Sequence, residues 1–473
     1  MEKIKAFLKR VLYAVGANLL GLVVSFLTTL LIPKFLGAQI EQYGYFQIYI
    51  FYSTYIGFFH FGLCDGVYLR DAGKSYGDLN KPLYSSQFWI LSAVETIIAV
   101  VLILIGCFTS SNVDYRFIWI MTAISIVAML PRTMLQYYLQ TTNRIKEYSS
   151  ITTTEKLLYA LFIVAVMVIS YRDYRLFIVT DVIAKMTALA VSIWWCRDIV
   201  FTKPCDLKIG LRECGINVSV GIKLLFANIA SFLITGIVKL GIQQKWNVVT
   251  YGKISFTLNI SNFLLVFISA IALVLYPTLR RADNNVLSGI YIKLRDVLTI
   301  PLMGALVLYY PVEQILSSWL PQYAESMRYM AILFPFCIFA AKMTMLIQTY
   351  MNVYRFEKQM LKVNAVGVLL ACITTVISVF IMESLTAAMV SIVINQIFRC
   401  IYAELTLAKT LKLQVVRRII FEVVLSVIFI LANWFIGSWI GVLIYLIAYA
   451  AYCVLERQKI IGLFSYAKEL LHH

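Results

Sequence analysis

Apolar runs of about 17 to 25 residues recur along the chain, separated by short polar connections. About fourteen can be placed, with centres from Gly21 and Ile56 to Ile428 and Tyr445, and each as a helix can cross a hydrocarbon core of ~30 Å. Only Gly437 and Ser438 separate the last two, which leaves twelve or fourteen crossings, an even number either way. The pattern predicts an all-α, polytopic integral membrane protein. The opening MEKIKAFLKR precedes an apolar run too long for a signal peptide and with no small-residue cleavage site, so the first run is expected to stay as a membrane helix.

Part of the pattern is repeated. The stretch from Leu36 to Arg70 returns about 208 residues later: Tyr43-Gly44 as Tyr251-Gly252, Ser53 as Ser261, Tyr68 as Tyr276. At an offset of about 210, Asn18, Ser25 and Thr29 fall on Asn228, Thr235 and Lys239. Solenoid units run from about 20 to 50 residues, so this period means two tandem halves, as in many transporters. The expected organisation is 1–205 as an N-lobe of six helices, 206–410 as a C-lobe of six, and 411–473 as two added helices and a tail.

Composition agrees: of 473 residues, 61% are hydrophobic and only 14% charged. A net charge of +17 on a soluble chain would suggest nucleic acid, but these cations lie in short connections with no folded domain to present them. With the N-terminus inside, about 28 of the Lys and Arg fall on one set of connections and about 7 on the other, so both termini are expected in the cytoplasm. The nine cysteines lie in or at the ends of apolar runs, with no C-x-x-C pair and no His at ligand spacing, and read as core thiols rather than a metal site.

The connections also limit the chemistry. None exceeds about 20 residues, too little for the aqueous domain that a membrane transferase or polymerase would usually need, and there is no Walker loop, H-E-x-x-H helix or Ser/His/Asp set. No catalytic residues are assigned.

The informative polar groups are inside the helices. In the seventh, Asn217, Gly221, Asn228, Ser231, Thr235 and Lys239 lie within about 80° of one another, a stripe that must face protein or water. The first helix carries a weaker equivalent in Asn18, Gly21, Ser25 and Thr29. Small polar residues commonly serve as interhelical glue at ~0.6 kcal/mol per hydrogen bond. Charges are harder to explain so, because a Lys or Arg at the bilayer centre costs at least ~2.5 kcal/mol. Six are helix-embedded: Arg132, Lys185, Lys223, Lys239, Lys342 and Arg399. Lys185 follows Asp181 by one turn and is expected to pair with it. Lys223 points away from its helix's stripe toward the interface, and Lys239 and Arg399 are near enough to helix ends to snorkel. Arg132 and Lys342 stand out, at equivalent repeat positions and with no acidic residue within a turn.

The motifs Asn18, Ile32-Pro33-Lys34-Phe35-Leu36-Gly37, Tyr43-Gly44-Tyr45-Phe46, and Gly62-Leu63 through Gly66 to Arg70 resemble the opening of bacterial polysaccharide flippases, the Wzx-type O-antigen transporters. That family belongs to the multidrug/oligosaccharidyl-lipid/polysaccharide exporter superfamily. The resemblance implies two six-helix lobes around a central cavity, and a substrate of undecaprenyl-pyrophosphate-linked oligosaccharide moved across the inner membrane by alternating access. It further implies a monomer in contact with membrane lipids, a glycan polymerase and chain-length proteins as partners, no cofactor, and a proton or sodium counter-ion. The family's basic cavity is matched by Arg132 and Lys342, then Lys239 and Arg399, with Asn18, Ser25, Asn228, Ser231 and Thr235 facing the glycan. Unlike ion-coupled multidrug exporters, the first helix has no acidic residue.

Cations suit a pyrophosphate and hydroxyl- and amide-bearing stripes suit a sugar, while the 30 Tyr and 8 Trp can stack on sugars or form interfacial belts. A drug exporter would show a more neutral or acidic cavity, a transferase a carboxylate or His on an accessible loop; lipid II, which also carries a pyrophosphate, stays open. Asp65, Glu95, Asp181 and His60 are the titratable groups available for ion coupling.

Overall fold

The computed structural model describes residues 20–37, 39–262 and 284–457. Asn18 lies outside them. The helices are α1 (Leu20–Leu36), α2 (Ile40–Ile56), α3 (Leu63–Asp71), α4 (Lys81–Thr109), α5 (Val113–Thr141), α6 (Ile145–Ile169), α7 (Tyr174–Trp195) and α8 (Leu207–Lys245). After them come α9 (248–262), α10 (Asn284–Ala305), α11 (Tyr309–Trp319), α12 (Met330–Val353), α13 (Lys358–Ile381), α14 (Leu385–Leu411), α15 (Val416–Phe435) and α16 (Trp439–Leu455). Nine described helices have the length and apolarity to cross a membrane, and α1 and α16 are shorter apolar helices. The all-helical polytopic membrane architecture expected from the pattern is present.

The polar connections start the helices. Asn112 Oδ1 accepts from the Asp114 amide at 2.7 Å, Asp173 Oδ1 from Arg175 at 2.9 Å and Ser438 Oγ from Ile440 at 3.3 Å, each satisfying an amide that the first turn leaves open. Gly437, at φ +55°, and the capping Ser438 make α15 and α16 separate helices. The second apolar run is also divided: α2 stops at Ile56 and α3 begins at Leu63, with Phe61 and Gly62 between them at φ +51° and +85°. Wider π turns occur at Leu27–Leu31, Lys342–Ile347 and Val376–Ile381.

The chain forms two compact units that divide between Ile229 and Ala230, inside α8. In the first, Leu63, Cys64, Val67, Tyr84, Leu135 and Tyr138 form a buried core; in the second, Tyr291, Phe339, Leu346, Tyr350, Cys400 and Leu407 do so. Outward faces are apolar too: α4 exposes Ile97, Val101, Leu104 and Phe108, a continuous stripe suited to lipid rather than water. With 39 residues, α8 is about 58 Å long, well beyond a hydrocarbon core, and is shared by both units.

Candidate functional site

Arg399, on α14, is buried in the second unit. Its Nε donates to Asn364 Oδ1 at 2.9 Å and its Nη2 to Ser231 Oγ at 2.7 Å, both neutral groups. Among the described residues it makes no ion pair. Ser231 belongs to the polar stripe of α8, where Asn228 and Thr235 are half-buried about one turn to either side. The sequence made Arg399 a cation near a helix end; the structure places it beside the stripe, on α13 and α8 partners. Lys239, further along α8, lies with Nζ 5.6 Å from the Tyr251 ring centroid, a cation–π contact.

Lys342 corrects an expectation. It has no acidic residue within a turn, yet its Nζ lies 2.5 Å from Glu404 Oε2 and 2.6 Å from Glu422 Oε2. Arg295 approaches the same carboxylates from the other side, Nε at 2.7 Å from Glu404 Oε1 and Nη2 at 2.6 Å from Glu422 Oε1. The four side chains form a neutral ring joining α10, α12, α14 and α15, with Arg295 and Lys342 each only 1% exposed, and Arg295 continues it to Asp296 at 3.8 Å and from there to Arg418 at 3.2 Å. Lys342 is therefore a member of an internal salt-bridge ring and does not present a spare positive charge to an anion. Tyr291 adds a hydrogen bond to Glu404 Oε1 at 3.2 Å.

Arg132 is corrected in the same way. Its guanidinium pairs with Glu155 across α5 and α6, beside the Gln136–Thr152 hydrogen bond of 3.0 Å that joins the same helices. Lys185 and Asp181 pair at 2.6 Å, as their spacing predicts, and the pair extends to α2: Lys185 Nζ donates to Ser53 Oγ at 2.7 Å, and Tyr49 donates to Asp181 Oδ2 at 2.6 Å. This network occupies Asp181. Lys223 is exposed. On α1, Ser25 and Gly21 are half-buried, and a Cβ at Gly21 would lie 2.6 Å from Lys156 Nζ.

The remaining titratable residues gather in the first unit. His60, in the break between α2 and α3, accepts from the Gly62 amide through Nδ1 at 3.2 Å and directs Nε2 toward Asp65 Oδ2, 3.9 Å away. Tyr137 donates to Asp65 Oδ1 at 3.3 Å. Glu95 is fully buried midway along α4, with neither carboxyl oxygen hydrogen-bonded among the described residues.

Sequence reading missed Glu155, Arg295, Glu404 and Glu422. The available signal was the one used for cations: Glu404 and Glu422 are carboxylates within apolar helical runs and need partners for the same reason. Among the described residues no group of three or more His, Cys, Asp or Glu is arranged to hold a metal ion.

Two solved structures share the chain's path. One is the lipid II flippase MurJ in an inward closed conformation, with 13% identity, a TM-score of 0.60, and coverage of 96% of this chain and 100% of that one. The other is a MATE family multidrug resistance transporter of the MOP superfamily, inward-facing, with 10% identity, a TM-score of 0.60, and coverage of 84% and 98%. The chain shares the fold of these two proteins. No family model and no curated protein matches the sequence, so the MOP likeness is one of fold. It agrees with the fold that the sequence resemblance implies.

Proposed function

We propose that the protein is a flippase for a lipid-linked oligosaccharide, carrying a polyprenyl-pyrophosphate-linked sugar from the cytoplasmic to the periplasmic leaflet of the inner membrane by alternating access. The observation that carries this reading is Arg399, a buried guanidinium held by two neutral side chains, with no ion pair among the described residues. A buried charge is costly unless paired. A phosphate-bearing ligand supplies the pairing, and a planar guanidinium suits phosphate oxygens bidentately. Ser231, Asn228 and Thr235 on α8 supply hydroxyl and amide groups for the glycan, with Lys239 next along the same helix. By the sequence repeat, Asn18 and Ser25 are the counterparts of Asn228 and Thr235.

This assignment moves the anion site from Lys342 and Arg132, whose charges are matched internally, to Arg399. Lipid II, the substrate in MurJ's name, shares the polyprenyl pyrophosphate and differs in its sugar-peptide head, so the same residue would engage it. The test is export of glycan to the cell surface at matched membrane levels of protein. Arg399→Gln is expected to lower it roughly tenfold or more, since hydrogen bonds to charged groups contribute about 1.5–3 kcal/mol. Arg399→Lys should retain part of it. Normal export by Arg399→Gln would reject the anion site. Complementation of a strain lacking its lipid II flippase, with no surface-glycan export, would assign the substrate to lipid II instead.

A further inference from the structure

A buried histidine closes the turn between α2 and α3. The Leu63 amide donates to the His60 carbonyl at 2.8 Å, and the Gly62 amide donates to His60 Nδ1 at 3.2 Å. Because Nδ1 accepts, the neutral ring carries its proton on Nε2, the nitrogen facing Asp65 Oδ2 at 3.9 Å. Among the described residues Asp65 Oδ2 makes no hydrogen bond, and Oδ1 accepts from Tyr137. His60 and Asp65 are 6% and 4% exposed.

The turn presses directly on α8. A Cβ on Gly62 would lie 2.6 Å from the Ile222 nitrogen, one on Gly66 would overlap the Asn217 carbonyl, and one on Gly221 the Gly62 carbonyl. Backbone meets backbone here, and glycine also permits the φ of +85° at Gly62. Arg70 fastens the same crossing, reaching Asn217 Oδ1 at 2.5 Å and Glu213 at 3.2 Å.

We propose that this break is a proton-binding site, in which uptake of a proton at His60 Nδ1 releases the Gly62 amide and loosens α3 from α8. Once Nδ1 carries a proton it cannot accept, and two N–H groups then oppose each other. The proton that breaks this bond turns a lone carboxylate beside a neutral ring into an ion pair, Asp65 with imidazolium, of no net charge. That exchange is favoured in apolar surroundings, where an uncompensated charge costs several kcal/mol. Other titratable groups around the site are Tyr137 from α5, Glu95 from α4, Cys64 on α3, and Glu213 and Cys214 from α8; Lys223, beyond Ile222, is exposed. Glu213 is held by Arg70, which leaves Asp65 itself and Glu95 as the competing proton sites.

The test is independent of any transported substrate. Backbone hydrogen exchange is measured by mass spectrometry on peptides covering 57–66, in lipid nanodiscs, from about pH 8 to about pH 5, and corrected for the intrinsic pH dependence of exchange. Protection of this segment should fall by roughly tenfold or more at low pH in the unaltered protein. In His60→Gln, whose amide oxygen accepts from Gly62 at either pH, it should stay flat, with His60→Asn as the second variant should Gln misfold. Asp65→Asn should move the opening to lower pH, because the imidazolium loses its counter-charge. Glu95→Gln should leave the response intact. A full response in both His60 variants would overturn the proposal and place the proton on a carboxyl group, as would loss of the response in Glu95→Gln.

Discussion

Lys342 and Arg399 are both buried cations of the second unit, and removing them should have opposite effects on stability. Lys342 balances two carboxylates that share only Arg295 besides. Breaking a buried ion pair by removing one partner costs about 3–5 kcal/mol, so Lys342→Gln should lower the thermal unfolding midpoint of the purified protein markedly. Adding Glu422→Gln restores neutrality with Arg295 facing Glu404, and should recover most of the loss. Arg399→Gln removes a charge with no described carboxylate partner and should leave the midpoint unchanged or raise it, so a loss of export in that variant reports function rather than folding. The contrast was invisible in the sequence because a search one turn along each helix finds Lys185 and Asp181, four residues apart, but not Arg132 and Glu155, separated by 23, or Lys342 and Glu422, separated by 80. Partners across a bundle are set by packing, which hydropathy does not encode.

Helices were legible where length and apolarity coincide, and their irregularities were not. The run through Gly57, Phe58, Phe59, His60, Phe61 and Gly62 reads as a continuous apolar helix; the signal for its break was the pair of glycines around a histidine, which apolarity outweighed. The π turns in α1, α12 and α13 left no trace in the pattern either. The last two helices are also more than an appendage, because α15 supplies Glu422 to the ring on α10, α12 and α14. Truncation after Leu411 removes both Glu422 and Arg418, leaving Arg295 and Lys342 to share Glu404, with Asp296 3.8 Å from Arg295, and the shortened chain is expected to accumulate less folded protein by fluorescence-detected chromatography. Lys342→Met in the truncated chain should recover part of that yield; no recovery would mean that α15 contributes packing alone.

At the scale of the whole chain, positions that the sequence pairs at an offset of about 208 are buried in both units: Tyr43 and Tyr251, and Ser53 and Ser261. The unit boundary within α8 was not readable, since a 39-residue helix carries no compositional break where the units divide. The basic-residue asymmetry predicts that a cysteine at Asn112 reacts with an impermeant reagent in intact spheroplasts while one at Arg355 reacts only after permeabilisation; the reverse would invert the topology. The charge ring, finally, imposes an order on synthesis. Arg295 and Lys342 leave the ribosome first, and Glu422 follows Arg295 roughly 130 residues later, a delay of about 6 to 25 s at about 5–20 residues per second. Through that interval the cations lack their full complement of counter-charges, at up to about 2.5–3.5 kcal/mol each if held at a helix centre. A nascent chain that stops short of α15 is expected to hold its earlier cationic helices less securely until the last carboxylate arrives.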